Sequence, residues 1–233
     1  MVLLYYISDR KSFTGTEQQQ TNAMLRRFAE AARAGVDYIQ LREKDLSPRH
    51  LERLAREAVR AVRDSSSITK LLVNSRADIA LACRADGVHL PAGELAASEV
   101  RALWRQSSER EPLIGVSAHN IADIRCAEAE GANFAVLAPI FAKVQTDAPG
   151  IGLDALRGAC LASPARGNPD AASQVRFAVL ALGGVTLGNA GACIEAGAAG
   201  VAGIRLFQQG DVFEIVQRLR GLGNCTDPHT SST

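Results

Sequence analysis

Ala34-Gly35-Val36-Asp37 closes a helix and opens a strand within four residues. Glycine just past a helix C-terminus supplies the left-handed cap, and the β-branched residue after it begins an extended run. The same junction recurs at Glu130-Gly131-Ala132-Asn133 and at Glu195-Ala196-Gly197-Ala198. One structural unit is therefore repeated along the chain, which argues against two unlike domains. Outward from these junctions, short β-rich runs alternate with Ala-rich amphipathic ones. Strands are expected at Leu3–Ser8, Val36–Leu41, Leu71–Asn74, Gly87–Leu90, Leu113–Ser117, Phe134–Ala138, Phe177–Leu182 and Val201–Ile204. Helices are expected near Glu17–Ala34, Pro48–Asp64, Arg76–Arg84, Ala96–Gln106, Ile121–Glu130, Leu153–Leu161, Leu187–Ala196 and Val212–Leu222. Eight strands, each followed by a helix, are the pattern of a closed α/β fold, the (β/α)8 TIM barrel. The chain has 233 residues, and such barrels run to ~250. A doubly wound open sheet would show a Gly-rich turn after its first strand; here that strand runs into Ser8-Asp9-Arg10. The barrel is expected to be a single domain over residues 1–222. The small, polar tail 223–233 is expected to be disordered. The Pro/Gly/Ser/Asn-rich stretch Ala162–Gln174 precedes a strand and reads as an insertion on the N-terminal face.

Composition excludes several classes. The chain carries 26 Lys+Arg and 25 Asp+Glu, a formal net charge of +1, so the basic excess of a nucleic-acid binder is missing. No run approaches the ~20 apolar residues that span a bilayer. Met1-Val2-Leu3-Leu4-Tyr5-Tyr6 has no basic segment and no cleavage site, so it reads as a strand and not as a signal peptide. The cysteines Cys83, Cys126, Cys160, Cys193 and Cys225 are odd in number and widely spaced. They suit small buried hydrophobes in a reducing compartment, and the cytoplasm is the expected location.

In this fold chemistry sits where strands end. The second strand ends Ile39-Gln40-Leu41-Arg42-Glu43-Lys44. Side chains alternate across a strand, so Gln40, Arg42 and Lys44 share one face. An amide and two cations converging at the mouth would hold a phosphate or diphosphate; a solvated charged loop would read the same way. Asn74, His89, Ser117 and His119 follow apolar runs at three further strand ends. Leu182-Gly183-Gly184-Val185 places two glycines after the seventh strand, where they are expected to open a helix and offer bare N–H groups to an anion. Tight turns alone would also explain them. The eighth strand, Gly200-Val201-Ala202-Gly203-Ile204, ends nearby.

Taken together, Leu4-Tyr5-Tyr6-Ile7-Ser8-Asp9-Arg10, Gln40-Leu41-Arg42-Glu43-Lys44, Asn74-Ser75-Arg76-Ala77-Asp78, Asp86-Gly87-Val88-His89-Leu90, Ile114-Gly115-Val116-Ser117-Ala118-His119, Pro139-Ile140-Phe141 and Leu182-Gly183-Gly184-Val185 resemble the thiamine phosphate synthase superfamily, which includes the TenI-type thiazole tautomerases. The matching motifs run in order from about Leu4 to Phe207. The resemblance implies an enzyme of thiamine biosynthesis that joins a hydroxymethylpyrimidine diphosphate to a thiazole phosphate and releases pyrophosphate with Mg2+. It assigns Gln40, Arg42 and Lys44 to the diphosphate, and Asn74, His89 and Ser117 to the substrates. It gives the thiazole phosphate to Gly183 and Gly184, with Arg205 beside it where the family prefers a small residue. Arg42, Lys44 and Lys143 are the implied catalytic cations. Several positions depart from the synthase pattern. Ser75 stands where the family has a metal-binding Asp, and Glu94 is then the carboxylate left for Mg2+. The loop Ala142–Asp147 breaks the expected Thr-x-Thr-Lys register. Val88-His89-Leu90-Pro91-Ala92-Gly93 is nearer the TenI branch, yet Pro139 occupies the place of that branch's acid/base His. His89 or His119 would have to take that role. Alternatives are therefore a TenI-like isomerase and a non-catalytic, regulatory barrel that binds a thiamine precursor. Partners are expected to be phosphorylated small molecules, with no nucleic acid and no membrane; a homo-oligomer is left open.

Overall fold

Eight parallel strands close on themselves in chain order: β1 (Leu3–Ile7), β2 (Tyr38–Leu41), β3 (Lys70–Asn74), β4 (Gly87–Leu90), β5 (Leu113–Ala118), β6 (Phe134–Leu137), β7 (Ala178–Ala181) and β8 (Gly200–Gly203). β8 pairs back to β1, with Leu3 opposite Gly200 and Tyr5 opposite Ala202. The computed structural model describes residues 1–142, 149–162 and 177–224. The helices are α1 (Glu17–Ala34), α2 (Pro48–Arg63), α3 (Ala77–Ala82), α4 (Ala97–Ser107), α5 (Ile121–Ala129), α6 (Gly152–Ala162), α7 (Ala190–Glu195), α8 (Arg205–Gln208) and α9 (Val212–Gly221). The expected TIM barrel is the observed one. Most of the expected insertion Ala162–Gln174 and all of 225–233 lie outside the described residues. The chain continues in a 3-10 turn over Leu222–Asn224, two residues beyond the expected end of the barrel.

The helices form for local reasons. In α2 the buried residues Leu51, Leu54, Ala55, Ala58, Val59 and Val62 recur every three or four positions, which lays one apolar stripe on the barrel. Ser47 caps that helix by accepting from the His50 N–H, and Pro48 fills its first turn. Thr16 and Gln19 form a reciprocal capping box on α1.

The repeated junction has a structural reason. Gly35, Gly131 and Gly197 take φ of 92°, 85° and 100°. After each, the next residue donates back into the helix: Val36 to Ala31, Ala132 to Ala127 and Ala198 to Cys193. A fourth copy without glycine, Arg84-Ala85-Asp86, has Arg84 at φ 55° and Ala85 donating to Ala80. The strand-opening Asp37, Asp86 and Asn133 then accept the N–H of Leu4, Leu71 and Ile114 on the preceding strand, at 2.7, 3.0 and 2.8 Å. These bonds set the register of β1 with β2, β3 with β4 and β5 with β6.

Two apolar layers result. Outward-facing strand residues and the helices form one core; the barrel interior holds Tyr5, Ile7, Leu72, Phe134, Val136, Leu180 and Ala202. Inside, Tyr38 stacks on Phe134 with centroids 5.1 Å apart, and Tyr5 meets Phe134 edge-on at 5.3 Å. Gly115 makes room for this plug, because a Cβ there would lie 2.4 Å from Phe134 and 2.9 Å from His89. The barrel is therefore filled at mid-height, and polar groups line its C-terminal end. Among the described residues no helix is long and apolar enough to cross a membrane. Cys83, Cys160 and Cys193 are buried thiols outside any disulfide, as expected, but Cys126 is exposed because it lies on the outer side of α5, where its thiol bonds Glu130.

Candidate active site

Above the aromatic plug the interior residues turn polar. Gln40 is 1 % exposed and donates from Nε2 to the Tyr5 hydroxyl at 2.9 Å. That hydroxyl lies 3.1 Å from His89 Nδ1, and His89 Nε2 lies 3.0 Å from Ser117 Oγ. Burial, with the Arg42 charge as a second cause, pushes His89 down to about 3. The imidazole is neutral at physiological pH and carries one N–H. The Gln40 amide nitrogen can only donate, so the Tyr5 hydroxyl accepts from it and shares a second hydrogen bond with His89 Nδ1. His89 Nε2 and Ser117 Oγ share the next hydrogen bond, and Ser117 is half-buried at the mouth. Four residues from four strands thus form one hydrogen-bonded chain. Burial also raises the Tyr5 phenol well above its ordinary value, so it stays protonated.

The cationic strand end rises from this layer. Arg42 is half-buried, its backbone N–H donates to Ser8 Oγ at 2.9 Å, and its charge bears on His89. Lys44 is exposed in the following loop. Glu43, between them, faces the other way and is buried against Ser8 and Arg10. Burial raises the Glu43 carboxyl, and its bonds to Ser8 and Arg10 oppose that shift. Asn74 ends β3 half-buried and donates to Ser75 Oγ at 2.9 Å. Ser75 sits at φ 60°, a left-handed conformation uncommon for a residue other than Gly, Asn or Asp.

The glycine pair differs from expectation in one respect. Gly183 and Gly184 take φ of 95° and 66° but do not open a helix, since α7 begins at Ala190. They lie in a turn packed on the loop after β6. A Cβ on Gly183 would lie 2.8 Å from the Pro139 Cα, and one on Gly184 would lie 2.7 Å from the Phe141 Cβ. Ile140 and Phe141 donate to the Leu182 and Gly183 carbonyls at 2.8 and 3.0 Å. The N–H of Gly184 finds no acceptor among the described residues. Arg205 is the exposed first residue of α8, a single turn that the apolar pattern does not announce.

Glu94 is exposed in the β4–α4 loop, at the same end of the barrel. No group of three or more His, Cys, Asp or Glu converges among the described residues. One loop carboxylate suits a Mg2+ carried mainly by substrate phosphates, since that ion keeps several waters and rarely has an all-protein cage. His119 is exposed, with Nδ1 3.0 Å from the Ala138 carbonyl beside Pro139. Arg76 pairs with Asp78 at 2.8 and 2.6 Å. Lys143 and most of the Ala142–Asp147 loop lie outside the described residues. The structure therefore links Gln40, His89 and Ser117 through Tyr5, sets Arg42 beside them, and keeps Glu94 and Arg205 on exposed segments. Tyr5 and Ser8 were visible only as first-strand residues, because their partners come from strands far along the chain.

A family model described as thiamine monophosphate synthase matches residues 4–207. A thiamine-phosphate synthase from Methanoregula boonei is 35 % identical over 220 residues, covering 93 % of this chain and 91 % of the relative. One from Enterococcus faecalis is 32 % identical over 224 residues, covering 96 % and 94 %. The solved thiamine phosphate pyrophosphorylase from Pyrococcus furiosus superposes with a TM-score of 0.73 at 25 % identity, covering 96 % of each chain. With these matches running through all eight strands and the residues at their ends, the chain belongs to the thiamine monophosphate synthase family.

Proposed function

We propose that this enzyme is a thiamine-phosphate synthase, joining a hydroxymethylpyrimidine diphosphate to a thiazole phosphate with release of pyrophosphate. The observation that carries this reading is a mouth where the strand end with Arg42 and Lys44 rises from a buried, neutral histidine. The reaction breaks the bond between the pyrimidine methylene and the diphosphate oxygen, and it forms a bond from that carbon to the thiazole nitrogen. The nitrogen attacks with its own lone pair, so no general base is needed. What is needed is charge neutralisation at the leaving group. Arg42 and Lys44 supply two cations there, above Gln40, and Lys143 is assigned a third. Ser117, held by His89, donates its O–H toward the diphosphate, with Asn74 beside it. Gly183 and Gly184 offer backbone N–H groups to the thiazole phosphate, with Arg205 at the rim. Mg2+ held by Glu94 and the substrate would neutralise further diphosphate charge.

A TenI-like isomerase is the second reading, favoured by Ser75 at the metal-binding position. An isomerase must move a proton and works best with a group titrating near neutrality. His89, held near 3, and Pro139 after β6 do not provide one, which leaves the exposed His119 as the histidine that reading would need. The described cysteines, outside any disulfide, suit a reducing cytoplasm. Incubation with both synthase substrates and Mg2+, followed by assay for thiamine phosphate, tests the reading. Isomerised thiazole phosphate without condensation would select the isomerase, and binding without either product the non-catalytic barrel.

A further inference from the structure

The residues that alternate with Gln40, Arg42 and Lys44 form a cluster of their own. Ser8 Oγ donates to Glu43 Oε1 at 2.6 Å while accepting the Arg42 N–H. Arg10 lies beneath the same loop. Its backbone N–H donates to Glu43 Oε1 at 3.1 Å, and its Nη1 donates to Glu43 Oε2 at 3.0 Å. The same guanidinium grips Asp45 with both nitrogens, at 2.5 and 2.7 Å. Lys11 Nζ reaches Asp45 at 2.9 Å. The Arg10 and Glu43 side chains are 2 % and 3 % exposed.

Charges this deeply buried are weak contributors to stability, because desolvation offsets their attraction and apolar residues of equal volume do as well. They do fix geometry. Arg10 holds the two residues on either side of Lys44, and Ser8 holds the N–H of Arg42, so the backbone that carries both cations is set before any ligand arrives. We propose that Ser8, Arg10, Glu43 and Asp45 are the positioning residues of the diphosphate site. This inference rests on the proposed diphosphate-binding role of Arg42 and Lys44. Preorganised cations bind an anion without first losing conformational freedom.

The test exploits a difference in sign. Asp45 is a negative charge next to an anion site. Through-space electrostatics alone would make Asp45→Ala bind an anion more tightly. Loss of a positioning residue makes it bind more weakly. Wild type, Asp45→Ala and Asp45→Asn are titrated with inorganic pyrophosphate by calorimetry at fixed ionic strength, with thermal unfolding and the KM of each substrate measured in parallel. Asp45 is partly exposed, which protects folding, and Asn keeps an oxygen for Arg10. Asp45→Ala should weaken pyrophosphate about tenfold, the scale on which lost support around a ligating group is felt. It should raise the KM of the diphosphate substrate and leave that of thiazole phosphate unchanged. Asp45→Asn should lie between Asp45→Ala and wild type. Unchanged or tighter pyrophosphate binding by Asp45→Ala overturns the inference while leaving the diphosphate site standing. A parallel rise in both KM values with a lower Tm marks a loosened barrel and also overturns it. Wild type that fails to bind pyrophosphate removes the diphosphate reading itself, and this inference with it.

Discussion

Tyr5→Phe removes one oxygen from the middle of the polar chain in the barrel mouth. Gln40 Nε2, 2.9 Å away, loses its acceptor, and His89 Nδ1, 3.1 Å away, loses its partner. Both partners are buried and little water can replace the hydroxyl. A buried polar group left unpaired costs about 1–3 kcal/mol, so two of them cost about 2–4 kcal/mol together once local adjustment is allowed. For a chain of this size the Tm should fall by roughly 5–15 °C. Thermal unfolding and urea titration at pH 7 measure the effect, with the urea midpoint moving and the slope m unchanged. Tyr38→Phe is the control: the same chemical change in a ring stacked on Phe134, with a half-buried residue. It should change stability by less than about 0.5 kcal/mol. Equal, small effects for the two variants would refute the hydrogen-bonded chain and leave Tyr5 as an apolar filler whose hydroxyl does nothing.

Three further outcomes are expected. His89 is held near 3 in the folded protein, below its ordinary value of 6.5. The unfolded chain thus binds an extra proton between those values, and stability should fall as pH drops from about 6.5 at about 1.4 kcal/mol per pH unit. His89→Gln should flatten that slope in urea titrations at pH 4–7; an identical slope would show that His89 does not titrate on unfolding. Arg42→Ala should weaken pyrophosphate about tenfold or more, the scale of one charge-assisted contact, while Arg76→Ala should change it far less because Arg76 is engaged with Asp78; equal losses by calorimetry would show that the face assignment is wrong. Ser75→Asp should fold normally, since Asp tolerates φ 60° better than most residues, and should raise synthase activity at limiting Mg2+. Glu94→Ala should abolish that activity, and an assay in which neither change matters would remove Glu94 as the metal-binding group.

The barrel was legible because its signals are local. Helical and strand periods, and a glycine after each of three helices, are properties of a few neighbouring residues, and they predicted all eight strands to within a residue or two. Glycine was not the whole junction, since Arg84 takes the left-handed conformation in a fourth copy. Strand alternation likewise placed Gln40 and Arg42 at the mouth without any tertiary information. The helix expected near Leu187–Ala196 is present as α7, but Gly183 and Gly184 do not open it, because the positive φ of both glycines serves close packing on Pro139 and Phe141, from a loop some forty residues earlier. The helix α8 that starts at Arg205 had no signal because a single turn is too short to show a period. The neutrality of His89, the link from Tyr5 to Gln40 and His89, and the burial of Arg10 against Glu43 and Asp45 had no signal in sequence. Each depends on which residues of β1, β2, β4 and β5 lie level with one another. That level is set by barrel closure and by long-range bonds such as Leu4 N–H to Asp37. Spacing along a chain determines which face a side chain takes; only the closed sheet determines what it meets there, and burial among those neighbours sets its charge.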